Sequence, residues 1–390
     1  MVDIDAIRAD TPGCESQHIH FNSAGSSLPP APVVDAMIEY LRAEQLMGGY
    51  EIAAERAEQL DSIYAVTADY LGCAPSEIAF ASGAGDAWWR AFSAIPLEAG
   101  DRILISHAEY QANAFGFFQA AERGVVVDLV PNDDEGMIDT EALADMLDER
   151  VKVVSLTHVA MSNGAIQPAA EVGRVVADHP AIYLLDSCQA AGQVALDVGE
   201  LGCDFLVYTG RKWMRGPRGT GILYARSSVL DKLGPQPFID GRSAEWLNDG
   251  GYELQPASRR FEYGEQHFSG KVGLAVATQY MLDIGIDAIT DRVQALSAAL
   301  RSGLDALPDV QVRDEGGPRG GAVTFTVRGE ASPARGVALR ERGLSLSVPG
   351  RRNAQYDIGH RGIDAVYRAA VHYFNTEDEV ARAIELIAEM

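Results

Sequence analysis

With 390 residues, 47% of them apolar, the chain can bury a large core and is too long for one typical domain. Its formal net charge of −24 argues against nucleic acid as a partner, because so acidic a surface repels phosphate backbones. No run of about 18 apolar residues reads as a membrane span, and the opening MVDIDAIRADTPG lacks the pattern of a signal peptide. The four cysteines, Cys14, Cys73, Cys188 and Cys203, show no CxxC spacing that would point to a metal knuckle or a redox dithiol. The expectation is a cytoplasmic protein with no metal.

In chain order, Pro29 and Pro30 introduce APVVDAMIEYLRAEQLM, whose spacing predicts a helix, and a second helical stretch covers residues 52–71. From about residue 75 to 225, short apolar runs alternate with helical patterns. EIAFA (77–81), RILIS (102–106), VVVDLV (125–130), KVVSL (152–156), AIYLLD (181–186), DFLVY (204–208) and TGILYA (220–225) read as strands. Most lack a polar face, as strands do when both faces of a mainly parallel α/β sheet are covered. Beyond residue 265, VGLAVATQYMLDIGIDAITDRVQALSAALRSGLDAL predicts two helices and GAVTFTV a strand. The residues from Thr376 predict a helix with the capping pattern T-E-D-E. This order predicts an N-terminal arm over 1–20, a large domain over 21–255, and a linking helix with a smaller α+β domain over 256–390.

Ligands of such sheets sit beyond the carboxyl ends of the strands, and four features collect there. Lys212, one of only four lysines, follows DFLVY in YTGRKWMRGPRGTG. Asp186 ends AIYLLD, and a carboxylate at a buried strand end needs a charged partner. ASGAGDAW follows EIAFA, and its Ser82, Gly83, Ala84 and Gly85 form a small-residue turn that opens a helix, a ready anion site. Tyr110 follows RILIS in SHAEYQANAF. Each has an ordinary reading too: a surface lysine, a helix-capping aspartate, a common strand-to-helix turn, a half-buried tyrosine.

Taken together they are what pyridoxal 5′-phosphate (PLP) requires. Lys212 would bind the aldehyde, Asp186 the ring nitrogen, the turn the phosphate, and Tyr110 a face of the ring. Gln189, three residues after Asp186, is placed to donate to the ring hydroxyl.

The motifs in this order resemble the class V, fold-type I PLP-dependent family, which includes cysteine desulfurases, selenocysteine lyases, kynureninases and isopenicillin N epimerase. HFNSAGSSLPPAPVV is similar to its N-terminal substrate loop, FASGAGDAW to its phosphate loop, and LLDSCQAAG to its Asp-x-x-Gln strand end. TGRKWMRGPRGTGILY is similar to its lysine motif, and RRFEYGEQHF to the loop a partner subunit lends. YRAAVHYFNTEDEV is similar to its C-terminal motif. The resemblance implies a seven-stranded, mainly parallel sheet with a smaller C-terminal domain, and a homodimer with shared sites. It implies that Arg368 holds the substrate α-carboxylate, that Asn22, Ala24 and Gly25 help on the substrate side, and that Thr209 and Arg211 join the phosphate turn.

Several positions depart from the family pattern. Desulfurases carry a nucleophilic cysteine in the C-terminal domain, but here LSLSVPGRRNAQYDIGHRG has none, and no cysteine follows Cys203. A persulfide-forming desulfurase is therefore disfavoured. Tyr110 stands where desulfurases place a histidine, Met161 where an asparagine is frequent, Gly85 where the phosphate loop has a threonine, and Glu265 where the partner loop has one. Gly48, Gly49 and Tyr50, with RKWxRGPRGTG, resemble hercynylcysteine sulfoxide lyases. The leading expectation is a lyase of that type, working through an external aldimine with Lys212 as the α-proton base. An epimerase resembling isopenicillin N epimerase, with Tyr110 as acid, and an aminotransferase are the alternatives. A PLP-binding regulator is disfavoured by the intact lysine and the lack of a basic N-terminal module. Trp88 or Trp89 is a candidate platform for a cationic substrate group, with at least one expected in the core.

Overall fold

The computed structural model describes residues 2–390 except 249 and 315. All seven predicted strands form and join one sheet. From one edge the order is Ile78–Ala81, Gly221–Ala225, Phe205–Thr209, Ile182–Asp186, Val151–Thr157, Arg102–Ile105 and Val126–Leu129. Neighbours run parallel, except that Gly221–Ala225 is antiparallel to both strands beside it. The strands Ile182–Asp186, Phe205–Thr209 and Gly221–Ala225 are buried at every position. Their uniform apolarity follows from having helices on both faces. The sheet is the mainly parallel one expected of fold-type I enzymes.

The helix Ala31–Met47 has the predicted bounds. The stretch after it is two helices, Gly49–Glu55 and Ala57–Leu71, broken at Arg56. Apolar spacing hides the break, because Ile52 and Leu60 pack into one cluster with Tyr40 on either side of it. The helix Phe268–Ile284 packs on Ala31–Met47 and Ala57–Leu71, so it belongs with the large domain.

The small domain carries a three-stranded antiparallel sheet, Val310–Val312, Ala322–Val327 and Tyr367–Ala370, against which Ile286–Asp305 and Glu377–Ala388 pack. Thr376 caps the last helix, its Oγ1 accepting from the Glu379 amide at 3.2 Å while Glu379 accepts from the Thr376 amide at 3.2 Å. The N-terminal segment is less detached than its polarity suggests. Ile19–His20 pairs in parallel with Leu344–Ser345, and Asn22 bridges Ala370. Ile19 and Phe21 are buried in the small-domain core, which fixes this stretch there.

Candidate active site

Asp186 ends its strand with the side chain buried. Its Oδ1 accepts from the Cys188 amide at 2.9 Å and its Oδ2 from Asn113 Nδ2 at 2.9 Å. Burial raises its pKa, against the Asn113 and Cys188 hydrogen bonds and the Lys212 charge. Among the described residues no cation forms an ion pair with it. A buried carboxylate left in that state fits a protonated ring nitrogen.

Lys212 lies in the loop between Phe205–Thr209 and Gly221–Ala225. Gly216 N donates to Gly210 O at 2.8 Å and Gly210 N to Thr220 O at 3.0 Å, which closes the loop tightly. Arg215 adopts a left-handed conformation, φ 57°, which costs a non-glycine residue about 1–3 kcal/mol. Three hydrogen bonds hold it there, to Leu28 O, Tyr373 Oη and Thr11 Oγ1. Trp213 Nε1 donates to Gln189 Oε1 at 2.8 Å and so ties the lysine loop to the turn after Asp186. Gly192, at φ 92°, packs against the same loop, and a Cβ there would lie 2.4 Å from the Trp213 carbonyl carbon. The Lys212 Nζ donates to Cys188 Sγ at 3.2 Å.

The phosphate turn opens the helix Ala84–Ala94. First-turn amides of a helix have no intrahelical acceptor, which leaves Ala84 and Gly85 free to bind an anion. Ser82 lies on the turn as expected, with its donors engaged. Its amide and its hydroxyl both donate to Asp86 Oδ2, at 2.9 and 2.8 Å, and Asp86 is itself clasped by Arg90 at 2.6 Å. Ser82 therefore shapes the turn, and its own donors are engaged. Thr209 Oγ1 donates to Thr220 O at 3.2 Å and keeps its acceptor sites. The Arg211 guanidinium donates to the Gly25 carbonyl.

Ser82, Gly83, Ala84, Gly85, Asp186 and Thr209 line one cavity of about 340 Å³, a size usual for small-molecule sites. A second chamber, about 260 Å³, is lined by Ala24, Gly25 and Arg368. Lys212, Tyr110, Gln189 and Arg211 line both. Arg368 is 6% exposed, with Nε donating to Ser347 Oγ at 3.1 Å and Nη1 to Met161 O at 3.2 Å. Burial pulls its pKa down to about 10, and among the described residues no carboxylate pairs with it. A buried, unpaired guanidinium is a receptor for a carboxylate.

Other expected residues are held by their neighbours or lie away from the chambers. Asn22 is not among those lining either chamber. Its side chain folds over Gly25, where a Cβ would meet Asn22 Oδ1 at 2.6 Å, so Gly25 has no room for a side chain. Gln189 Nε2 donates to Ala24 O at 3.0 Å, which leaves one Nε2 hydrogen for a ligand. Neither tryptophan lines the chambers. Trp88 is buried and stacks on Phe92 at 4.6 Å, and Trp89 lies against the same ring. In RRFEYGEQHF, Glu262 is fully buried in its own chain and accepts from Tyr64 Oη and the Phe80 amide. Within this stretch Gly264, Glu265 and His267 are exposed. Sequence reasoning missed Arg218, Thr157 and Cys188, which line the inner chamber, and Asn113 with Glu109 behind it. Glu109 and Asn113 stand four apart across a helix start, the one signal that pairs them.

The family model described as aminotransferase class-V matches residues 19–383. This chain belongs to the aminotransferase class-V family. Its members use PLP on the fold-type I scaffold, and the cofactor of this chain is PLP. Among the class-V relatives, probable cysteine desulfurase 2 of Mycobacterium leprae is 31% identical over 98% of this chain and 95% of its own length. A probable cysteine desulfurase of Methanothermobacter thermautotrophicus is 26% identical over 98% and 97%. The apo structure of a cysteine desulfurase from Thermococcus onnurineus matches with a TM-score of 0.91 at 27% identity, covering 100% of this chain and 98% of that one.

The residues present fit the cofactor. Lys212 would hold its aldehyde, Asp186 its ring nitrogen, and the Ala84 and Gly85 amides with Arg211 its phosphate, which Thr209 would join on turning its hydroxyl away from Thr220 O, while Tyr110 stands at the wall. When bound, PLP supplies an electrophilic carbon for amines and an electron-withdrawing ring.

Proposed function

We propose that this enzyme cleaves a C–S bond by β-elimination on a cysteine S-conjugate, as a lyase of the hercynylcysteine sulfoxide lyase type. One observation carries the reading. The outer chamber joins the unpaired Arg368 to Lys212, and no cysteine is among its described lining residues. Arg368 fixes the substrate carboxylate, and Lys212, once free as an amine, takes the α-proton. The sulfur group leaves the β-carbon with the bonding electron pair. The wall formed by Ser347, Val348 and Asn353 carries no thiol, and Cys188 lies on the inner chamber on the far side of Lys212, so the sulfur group departs as a small molecule. The remaining enamine tautomerises and hydrolyses to pyruvate and ammonia. The relatives' name, cysteine desulfurase, supports sulfur removal from a cysteine-derived substrate.

The test is to assay pyruvate and ammonia from cysteine S-conjugates and their S-oxides, alongside optical rotation. The reading expects pyruvate and ammonia in equal amounts. Exchange of the α-proton or loss of rotation without elimination would overturn it in favour of an epimerase, for which Tyr110, 38% exposed at the wall of both chambers, would be the acid.

We also infer a homodimer. Leu46, Tyr50 and Trp246 are 84%, 90% and 86% exposed, apolar surface that a second copy would cover. Sedimentation should give twice the chain mass.

A further inference from the structure

We propose that Glu109 is a positioning residue for the cofactor ring, acting on Asp186 through the Asn113 side-chain amide. Glu109 is 1% exposed. Its Oε1 accepts from Ser155 Oγ at 2.8 Å, and its Oε2 from Thr157 Oγ1 at 3.3 Å and Asn113 Nδ2 at 3.1 Å. The same Nδ2 donates to Asp186 Oδ2 at 2.9 Å. An amide nitrogen has two hydrogens, and here each meets a different carboxylate. That fixes the amide's orientation, since turning it over would set its oxygen against two acceptors. Asp186 is thereby held from two sides, by Asn113 and by the Cys188 amide.

Glu109 adds charge as well as geometry. Among the described residues it has three hydrogen-bond donors and no ion-pair partner. A second buried carboxylate, one amide away from Asp186, makes the site better suited to a cationic ring. Burial raises the Glu109 carboxyl to about 7, with Asp186 adding to the rise and the three donors opposing it. Near neutrality it is therefore poised to ionise when a cation docks.

The inference rests on reading Asp186 as the anchor of the ring nitrogen. The probe is pyridoxine 5′-phosphate, which lacks the aldehyde and cannot bond to Lys212. It is titrated into the full-length, cofactor-free chain and followed by tryptophan fluorescence. Glu109→Gln can keep the contacts to Ser155, Thr157 and Asn113 while removing the charge, and should weaken binding roughly fivefold or more. In an Asp186→Asn background the same change should weaken it less than about twofold, because the path to the ring is already cut. Equal losses in both backgrounds would mark a merely structural role and overturn the proposal. Should Glu109→Gln not fold, Asn113→Ala breaks the link and must show the same non-additivity. If Asp186→Asn leaves binding unchanged, the anchor reading fails and takes the proposal with it. If Asp186→Asn weakens binding and Glu109→Gln does not, only the role of Glu109 falls.

Discussion

Lys212 Nζ and Cys188 Sγ are 3.2 Å apart, the one thiol–amine contact in the inner chamber among the described residues. Burial raises the Cys188 pKa, and the Lys212 charge only partly opposes this, so the thiol stays protonated. Elimination needs the amine and does not need the thiol. Cys188→Ala should keep the visible absorbance of lysine-bound cofactor and leave turnover within about threefold. Lys212→Ala should abolish both. Loss of turnover in Cys188→Ala with the absorbance intact would mean that Cys188 receives sulfur.

Arg368 should report on substrate binding. Its guanidinium is oriented by Ser347 and Met161, and among the described residues no carboxylate pairs with it. Arg368→Lys loses the planar fork and with it a bidentate grip on carboxylate. KM for the amino acid should rise roughly 10- to 100-fold, the scale of a charged hydrogen bond. Steady-state kinetics decide this, and an unchanged KM would place the carboxylate elsewhere.

Glu109 predicts a pH dependence of the cofactor-free protein. Its carboxyl is raised by burial from the ordinary 4.5 to about 7. Between those values the native state holds more protons than the unfolded one. Stability is then lost as pH rises from about 4.5 to about 7. Urea midpoints at pH 5, 6 and 7.5 should fall for the parent and stay flatter for Glu109→Gln. Parallel slopes would assign the effect to other groups.

Glu262 balances one buried and one partly exposed cation. Lys271, 2% exposed, donates to Tyr64 Oη at 2.7 Å, and Tyr64 in turn donates to Glu262 at 2.7 Å, where Arg242 also binds at 3.0 Å. Burial lowers the Lys271 pKa to about 8 even with Glu262 opposing it. Glu262→Gln should cost about 3–5 kcal/mol, the usual penalty for stranding a buried charge. Adding Lys271→Met should recover part of the loss in urea denaturation, and strict additivity would show the two to be independent.

Gly192→Ala should disturb a site it does not line. The added Cβ would need to lie 2.4 Å from the Trp213 carbonyl carbon, at a φ that disfavours any side chain. The lysine loop must shift, so cofactor content should drop along with the melting temperature. Full cofactor content at the parent's melting temperature would contradict the packing described.

The strands were legible because strands buried on both faces read as uninterrupted apolar runs, Asp186 because it ends such a run, and Lys212 because it stands in the glycine-containing loop that leaves one. Contacts made between distant segments were not legible. Nothing in SHAEYQANAF says that Asn113 lands beside Asp186, 73 residues on. Nor does ASGAGDAW say that both donors of Ser82 turn to Asp86, which resembles an ordinary first-turn acid. At least one tryptophan is expected in the core, but which one was not legible, because the aromatic cluster that absorbs Trp88 comes from Phe92 and from Phe117 on another helix. The break at Arg56 leaves the apolar period undisturbed.

Trp213 and Gln189 tie the lysine loop to the turn after Asp186, while Ser347, Val348, Asn353 and Arg368 reach the outer chamber from the C-terminal part of the chain. Chemistry and selectivity thus sit on different stretches of the chain. A change of substrate can be written into the 347–353 wall without retuning the base or the ring anchor. A single scaffold of this kind is open to divergence toward new leaving groups at little cost to its reaction.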